Sequence, residues 1–162
     1  MTAPVRRAHA VTIERTEALR HALPAGIAEL APDETWLRWR AALFAKAADV
    51  RVRLALTPLA YRALTGLSPA PGAAGHACIY ARGARLRRPV VYLDPARLAD
   101  RGAAEQVLAH EFMHVKCPSY GHKQAGFDVA QRLLDTVAAD PESSTWPADS
   151  ALPTPATRVP AR

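Results

Sequence analysis

The stretch Leu108-Ala109-His110-Glu111-Phe112-Met113-His114 decides how this chain is read, and its content is spacing. In an α-helix, positions i and i+4 share a face, so the imidazoles of His110 and His114 can point at one Zn²⁺, at the zinc–nitrogen distance of about 2.0–2.1 Å. Glu111 lies one residue round the helix, where its side chain reaches a water on the metal rather than the metal itself. With six His and seven Glu in 162 residues, chance yields roughly 0.01 such matches. The competing reading is two surface histidines on one helix face.

The flanks supply the helix that the motif needs. Asp100 and Gly102 precede a helical run from Ala103 to about Lys116, and Cys117 with Pro118 must end it, because a residue before proline avoids helical angles. Gly121 allows a turn, and a last helix from His122 to about Ala138 buries Phe127, Ala130, Leu133, Leu134 and Val137. Catalytic zinc takes three protein ligands and keeps a position for water. His122, returned by that turn, is the first choice for the third ligand, with Cys117 and Asp128 as competitors. Asp128 more naturally accepts a ring N–H from a ligand histidine. Tyr120 is a candidate for holding an oxyanion, a packing role being its alternative. His9, His21 and His76 are scattered and need no ligand role.

Upstream, the hydrophobic period changes twice. Thr12 to Leu23 predicts a short amphipathic helix ended by Pro24 and Gly26. Asp33 caps a stronger one, with Trp36, Leu37, Leu43, Phe44 and Ala47 on its buried stripe and Arg38 and Lys46 in water. From Val50 the period becomes two: Val50, Val52, Leu54 and Leu56 point inward, while Arg51, Arg53, Ala55 and Thr57 take the other face. His76–Arg82 and Pro89–Asp94 predict two more strands, and a short helical piece around Leu59–Leu64 with a Pro/Gly-rich loop precedes them. Arg82 to Arg88 is a basic hairpin connection. Three parts are expected: residues 1–32 as an N-terminal segment with a short helix, 33–139 as the domain, and 140–162 as a Pro-rich disordered tail.

The composition sets outer limits. A chain of 162 residues with 49% apolar residues buries a core without a disulfide framework, so Cys78 and Cys117 are expected to be reduced, in a cytoplasmic protein. No secretory pattern follows Arg6 and Arg7, and no long uncharged apolar run exists, so neither export nor a membrane partner is expected. The net charge of +6 divides as +1 over residues 1–50, +7 over 51–101 and −2 over 102–162. Arg82, Arg85, Arg87 and Arg88 are therefore candidates for contacting nucleic-acid phosphates such as those of DNA, a solvated hairpin being the equal alternative.

His110-Glu111-Phe112-Met113-His114, then Gly121-His122 and Phe127 before a Leu-rich helix, resembles the SprT-like zinc metallopeptidases, which include the Spartan-type DNA–protein crosslink proteases. A Trp-containing helix and three short strands, with Gly75-His76-Ala77 opening the second, precede the motif in the same order. The resemblance spans about residues 33–138. It implies an α+β, zincin-like fold: a small three-stranded sheet covered by helices, an active-site helix and a following C-terminal helix. By matching position it also implies that His110, His114 and His122 bind Zn²⁺ and that Glu111 is catalytic. Here glycine precedes the third histidine rather than following it, and no C-terminal pair of Cys-x-x-Cys elements is present. The expected activity is hydrolysis of peptide bonds in a protein or peptide substrate, with loose specificity. Two other readings compete. One is a regulator-cleaving protease like the ImmA/IrrE family, disfavoured because no glutamate lies between Glu111 and Glu142 to serve as third ligand. The other is a non-catalytic nucleic-acid-binding module with structural zinc.

Overall fold

The computed structural model describes residues 3–146. Six α-helices and three strands follow one another as α1 (Ala3–Glu17), α2 (Ala25–Ala28), α3 (Glu34–Ala48), β1 (Arg53–Ala55), α4 (Pro58–Thr65), β2 (Gly75–Ala81), β3 (Ala84–Leu93), α5 (Arg101–Lys116) and α6 (Gln124–Ala139). The fold is α+β. The sheet is mixed, in the order β1-β3-β2: β1 runs parallel to β3 with Leu54 opposite Val91, and β2 runs antiparallel with Ala77 opposite Val91.

The pleat of β3 sorts the interior into two layers. Val91 and Leu93 face the main core, where Leu37, Phe44, Leu108, Phe112, Met113 and Leu134 from α3, α5 and α6 are buried. Val90 and Tyr92 face the other way, onto Tyr61 of α4, Cys78 and Ala55. The side chains of β1 therefore meet protein on both faces. Ala55, expected on the open face, is fully buried because α4 covers that side. β1 is also shorter than the eight-residue alternation of 50–57 predicts, since only Arg53–Ala55 finds a partner strand.

Helices α3 and α5 start on side-chain caps, the one at Asp33 as expected. Asp33 accepts a hydrogen bond from the Trp36 backbone N–H at 2.8 Å and Asp100 one from Ala103 at 2.7 Å, so each starts its helix by satisfying an orphan donor. The first helix departs from expectation at both ends, running Ala3–Glu17 rather than Thr12–Leu23. Side-chain amides from the other helices take over the following backbone. Gln106 donates to the carbonyls of Glu17 and Leu19 at 2.9 and 2.8 Å, and Gln131 pairs with both the N–H and the carbonyl of Arg20 at 2.9 and 3.0 Å. The four-residue α2 then begins after Pro24, where an end was expected.

Two further boundaries differ. The hairpin turn is only Arg82-Gly83, both with positive φ (51° and 78°), the geometry that two-residue hairpins favour. Arg85 to Arg88 thus lie on β3 itself, and the pairing with β2 is irregular between Cys78 and Tyr80, opposite the stretch that holds Pro89, which has no N–H to donate. Past Asp140, where disorder was expected, Pro141–Ser144 forms a 3-10 turn against α3. Lys46 meets Asp140 at 2.8 Å, Ser143 accepts from Arg40 at 2.7 Å and Trp146 packs at a tilt against Trp39 with ring centroids 4.9 Å apart, which together hold it. The remainder of the expected tail, 147–162, lies outside the described residues.

Candidate metal centre

Helix α5 packs with its middle against β2 and α6, and this places the motif. His110 and Glu111 are buried, each 7% exposed, and His114 is half-buried one turn further on. The helix stops at Cys117, a 3-10 turn spans Pro118–Tyr120, and Gly121 at φ 53° reverses the chain. His122 therefore comes back toward α5 from this turn, two residues before α6 begins, and is not the first residue of a helix.

The three imidazoles converge through one kind of atom. Their Nε2 atoms stand 2.9 Å (His110–His114), 3.1 Å (His114–His122) and 3.2 Å (His110–His122) apart. Tetrahedral ligands at a zinc–nitrogen bond length of about 2.05 Å are separated by roughly 3.3 Å, close to these spacings. All three rings are held neutral at pH 7. His110 is pushed down to about 3 and His114 to about 4, by burial first and then by neighbouring histidines, and burial lowers His122 as well. Neutral imidazole is the form that binds a metal, so the donor set fits a single ion in both geometry and protonation. Among the described residues, these three form the group of His, Cys, Asp or Glu side chains close enough to hold one.

Glu111 stands beside the triad but turns to the sheet. The backbone of Ala77 on β2 acts to lower the carboxyl's pKa, but burial outweighs this and pushes it up to about 8. Gly75 permits the close approach of strand and helix, since a Cβ there would lie 2.6 Å from Val107 Cγ1 and 3.0 Å from Glu111 Cγ. A cleft of about 690 Å³ opens over the site, walled by α1, the 72–79 segment and α5 and floored by His110, Glu111, His114 and His122.

The other candidates are placed elsewhere. Cys117 is a half-buried free thiol outside the triad. Asp128 is exposed and accepts from Gln124 at 3.0 Å, and the partner shown for a ligand ring is instead Thr16, whose Oγ1 lies 2.9 Å from His110 Nδ1. Tyr120 is 41% exposed and does not line the cleft. Arg82, Arg85, Arg87 and Arg88 are exposed on the hairpin and do not line it either. His9 and His76 line the cleft without joining the triad. Phe127 packs its ring edge-on against His110 at 5.3 Å. Thr16 carries no sequence signal, being 94 residues from its partner.

No protein-family profile, curated protein or solved structure matches this chain. Among the described residues no helix is long and apolar enough to cross a membrane.

Proposed function

We propose that the chain is a zinc metallopeptidase of SprT-like, zincin-like organisation, in which His110, His114 and His122 hold Zn²⁺ and Glu111 is the general base. The observation that carries this reading is the convergence of three neutral Nε2 atoms within 2.9–3.2 Å of one another, with a carboxyl on the adjoining helix position. When bound, the ion supplies Lewis acidity, which eases deprotonation of water, polarises a peptide carbonyl and favours the ionised form of Glu111 at neutral pH.

The chain's own residues do the rest. Glu111 takes a proton from the attacking water at a carboxylate oxygen and returns it to the departing amine nitrogen, which completes cleavage of the amide without a covalent enzyme intermediate. β2 is an edge strand of the sheet, and its residues Gly75 to Ala77 form one wall of the cleft, so an extended peptide can meet main-chain groups there. Recognition through the main chain gives little preference for sequence.

The test is hydrolysis of an unfolded, fluorescently quenched protein by zinc-loaded protein and by Glu111→Gln. The expected result is turnover by the wild type and its loss in the variant at unchanged zinc content. Equal turnover by the two proteins contradicts the role of Glu111, and no turnover by a zinc-loaded wild type on any unfolded substrate contradicts the peptidase reading.

A further inference from the structure

The N-terminal helix lies outside the segment in which the motif resemblance was found, yet it touches two of the three histidines. Thr16 Oγ1 sits 2.9 Å from His110 Nδ1, and Arg15 donates to the carbonyl of His122 at 2.7 Å. The Arg15 guanidinium also stands 5.9 Å over the ring of Phe127, the residue packed on His110. Gln106 of α5 anchors the end of this helix through the carbonyls of Glu17 and Leu19.

The hydrogen-bond count at Thr16 decides a tautomer. A threonine hydroxyl has one proton to give. Thr16 gives it to the carbonyl of Thr12, 2.8 Å away, in the manner of a helical hydroxyl bonding back one turn. Toward His110 the oxygen can then only accept, so Nδ1 of His110 must carry the ring proton. Nε2 of the same ring is left with its lone pair, aimed at the Nε2 atoms of His114 and His122.

We propose that α1 is a working part of the metal centre and that Thr16 is its positioning residue, fixing His110 in the Nδ1–H tautomer and in the ring orientation that offers Nε2 to the ion. The inference rests on the metal-centre reading above. The outer partners of metal-bound histidines set ligand orientation and basicity, and losing one costs about 10–100-fold in metal affinity. Ser at position 16 keeps the hydroxyl and its two bonds, whereas Val keeps the shape and loses both.

Zinc affinity by competition with a chromophoric chelator is the decisive comparison. Wild type and Thr16→Ser are expected to agree within about threefold, and Thr16→Val to bind about 10–100-fold more weakly. Thr16→Val binding zinc as tightly as wild type overturns the proposal and leaves the metal centre standing. A wild type that takes up no zinc overturns both. A measurement on the metal-free wild type, independent of any variant's folding, is the long-range ¹H–¹⁵N correlation of the imidazoles. His110 is expected to show a protonated Nδ1 and an unprotonated Nε2, and the opposite pattern overturns the assignment.

Discussion

Gly75→Ala probes the contact that brings the sheet to α5. A methyl at this position would stand 2.6 Å from Val107 Cγ1, 3.0 Å from Glu111 Cγ and 3.1 Å from Glu111 Oε1. Carbon atoms in contact prefer about 3.5–4.0 Å, so the overlap with Val107 is of order 1 Å. Val107 cannot swing away cheaply, because a β-branched side chain on a helix has one strongly preferred χ1 rotamer. β2 cannot simply retreat either, since Gly75 pairs with Leu93 in the ladder to β3. Overpacking of this kind costs about 1–3 kcal/mol. At about 2–4 °C per kcal/mol for a chain of this size, the fall in Tm is roughly 2–12 °C. Val107→Ala removes the obstructing methyl and by itself costs about 1 kcal/mol for the lost packing. The double variant should then be more stable than the two single losses predict, by at least about 1 kcal/mol. Urea denaturation of the four proteins measures this coupling. Losses that add within about 0.5 kcal/mol, or a Gly75→Ala protein as stable as wild type, would refute the proposed contact.

Two further outcomes follow from buried charge. Arg40 and Glu105 pair at 1% and 2% side-chain exposure between α3 and α5, with the guanidinium 4.9 Å over the ring of Trp39. Burial raises the Glu105 carboxyl despite Arg40, so desolvation outweighs the attraction. Glu105→Ala should therefore cost about 3–5 kcal/mol in chemical denaturation by stranding Arg40, while Arg40→Met with Glu105→Leu should recover most of that loss. In chelator, the metal-free protein should be most stable near neutral pH and lose stability as pH falls below about 6.5. The unfolded chain protonates His110, His114 and His122 there, while the folded rings resist until about pH 4 (His114) and about 3 (His110). Glu111, raised to about 8, and Glu105 act oppositely, being more protonated when folded. His76, lowered by burial too, joins the three histidines, and four such histidines against two carboxyls leave the unfolded state the greater proton binder once pH is well below 6.5. Constant stability from pH 7 to 5 by thermal melting would contradict these shifts.

Much of the architecture was legible because it is written locally. The cap at Asp33, the apolar stripe of α6 and the break at Cys117-Pro118 each depend on residues within a turn or two, and each appears as expected. His110 and His114 were legible for the same reason, and His122 because a short reversal left it little freedom. What the sequence hid is set by distant partners. Ala55 is buried because α4 folds over a face that alternation marks as open. The first helix ends at Glu17 because Gln106 and Gln131, about a hundred residues away, bind the next backbone groups. The 3-10 turn after Asp140 forms because Lys46, Arg40 and Trp39 on α3 offer partners to a polar, proline-rich segment that could not have packed on itself. Thr16 was missed for the same reason as these. Asp128, weighed as the acceptor of a ligand ring's N–H, is exposed instead.

Zinc titration of the metal-free protein by calorimetry bears most directly on the three-histidine centre. One Zn²⁺ per chain is expected for the wild type, and His110→Ala, His114→Ala and His122→Ala should each weaken binding by more than the roughly 10–100-fold lost with an outer partner. A wild type that binds no zinc, or any one of the three variants binding it as tightly as wild type, would contradict the centre.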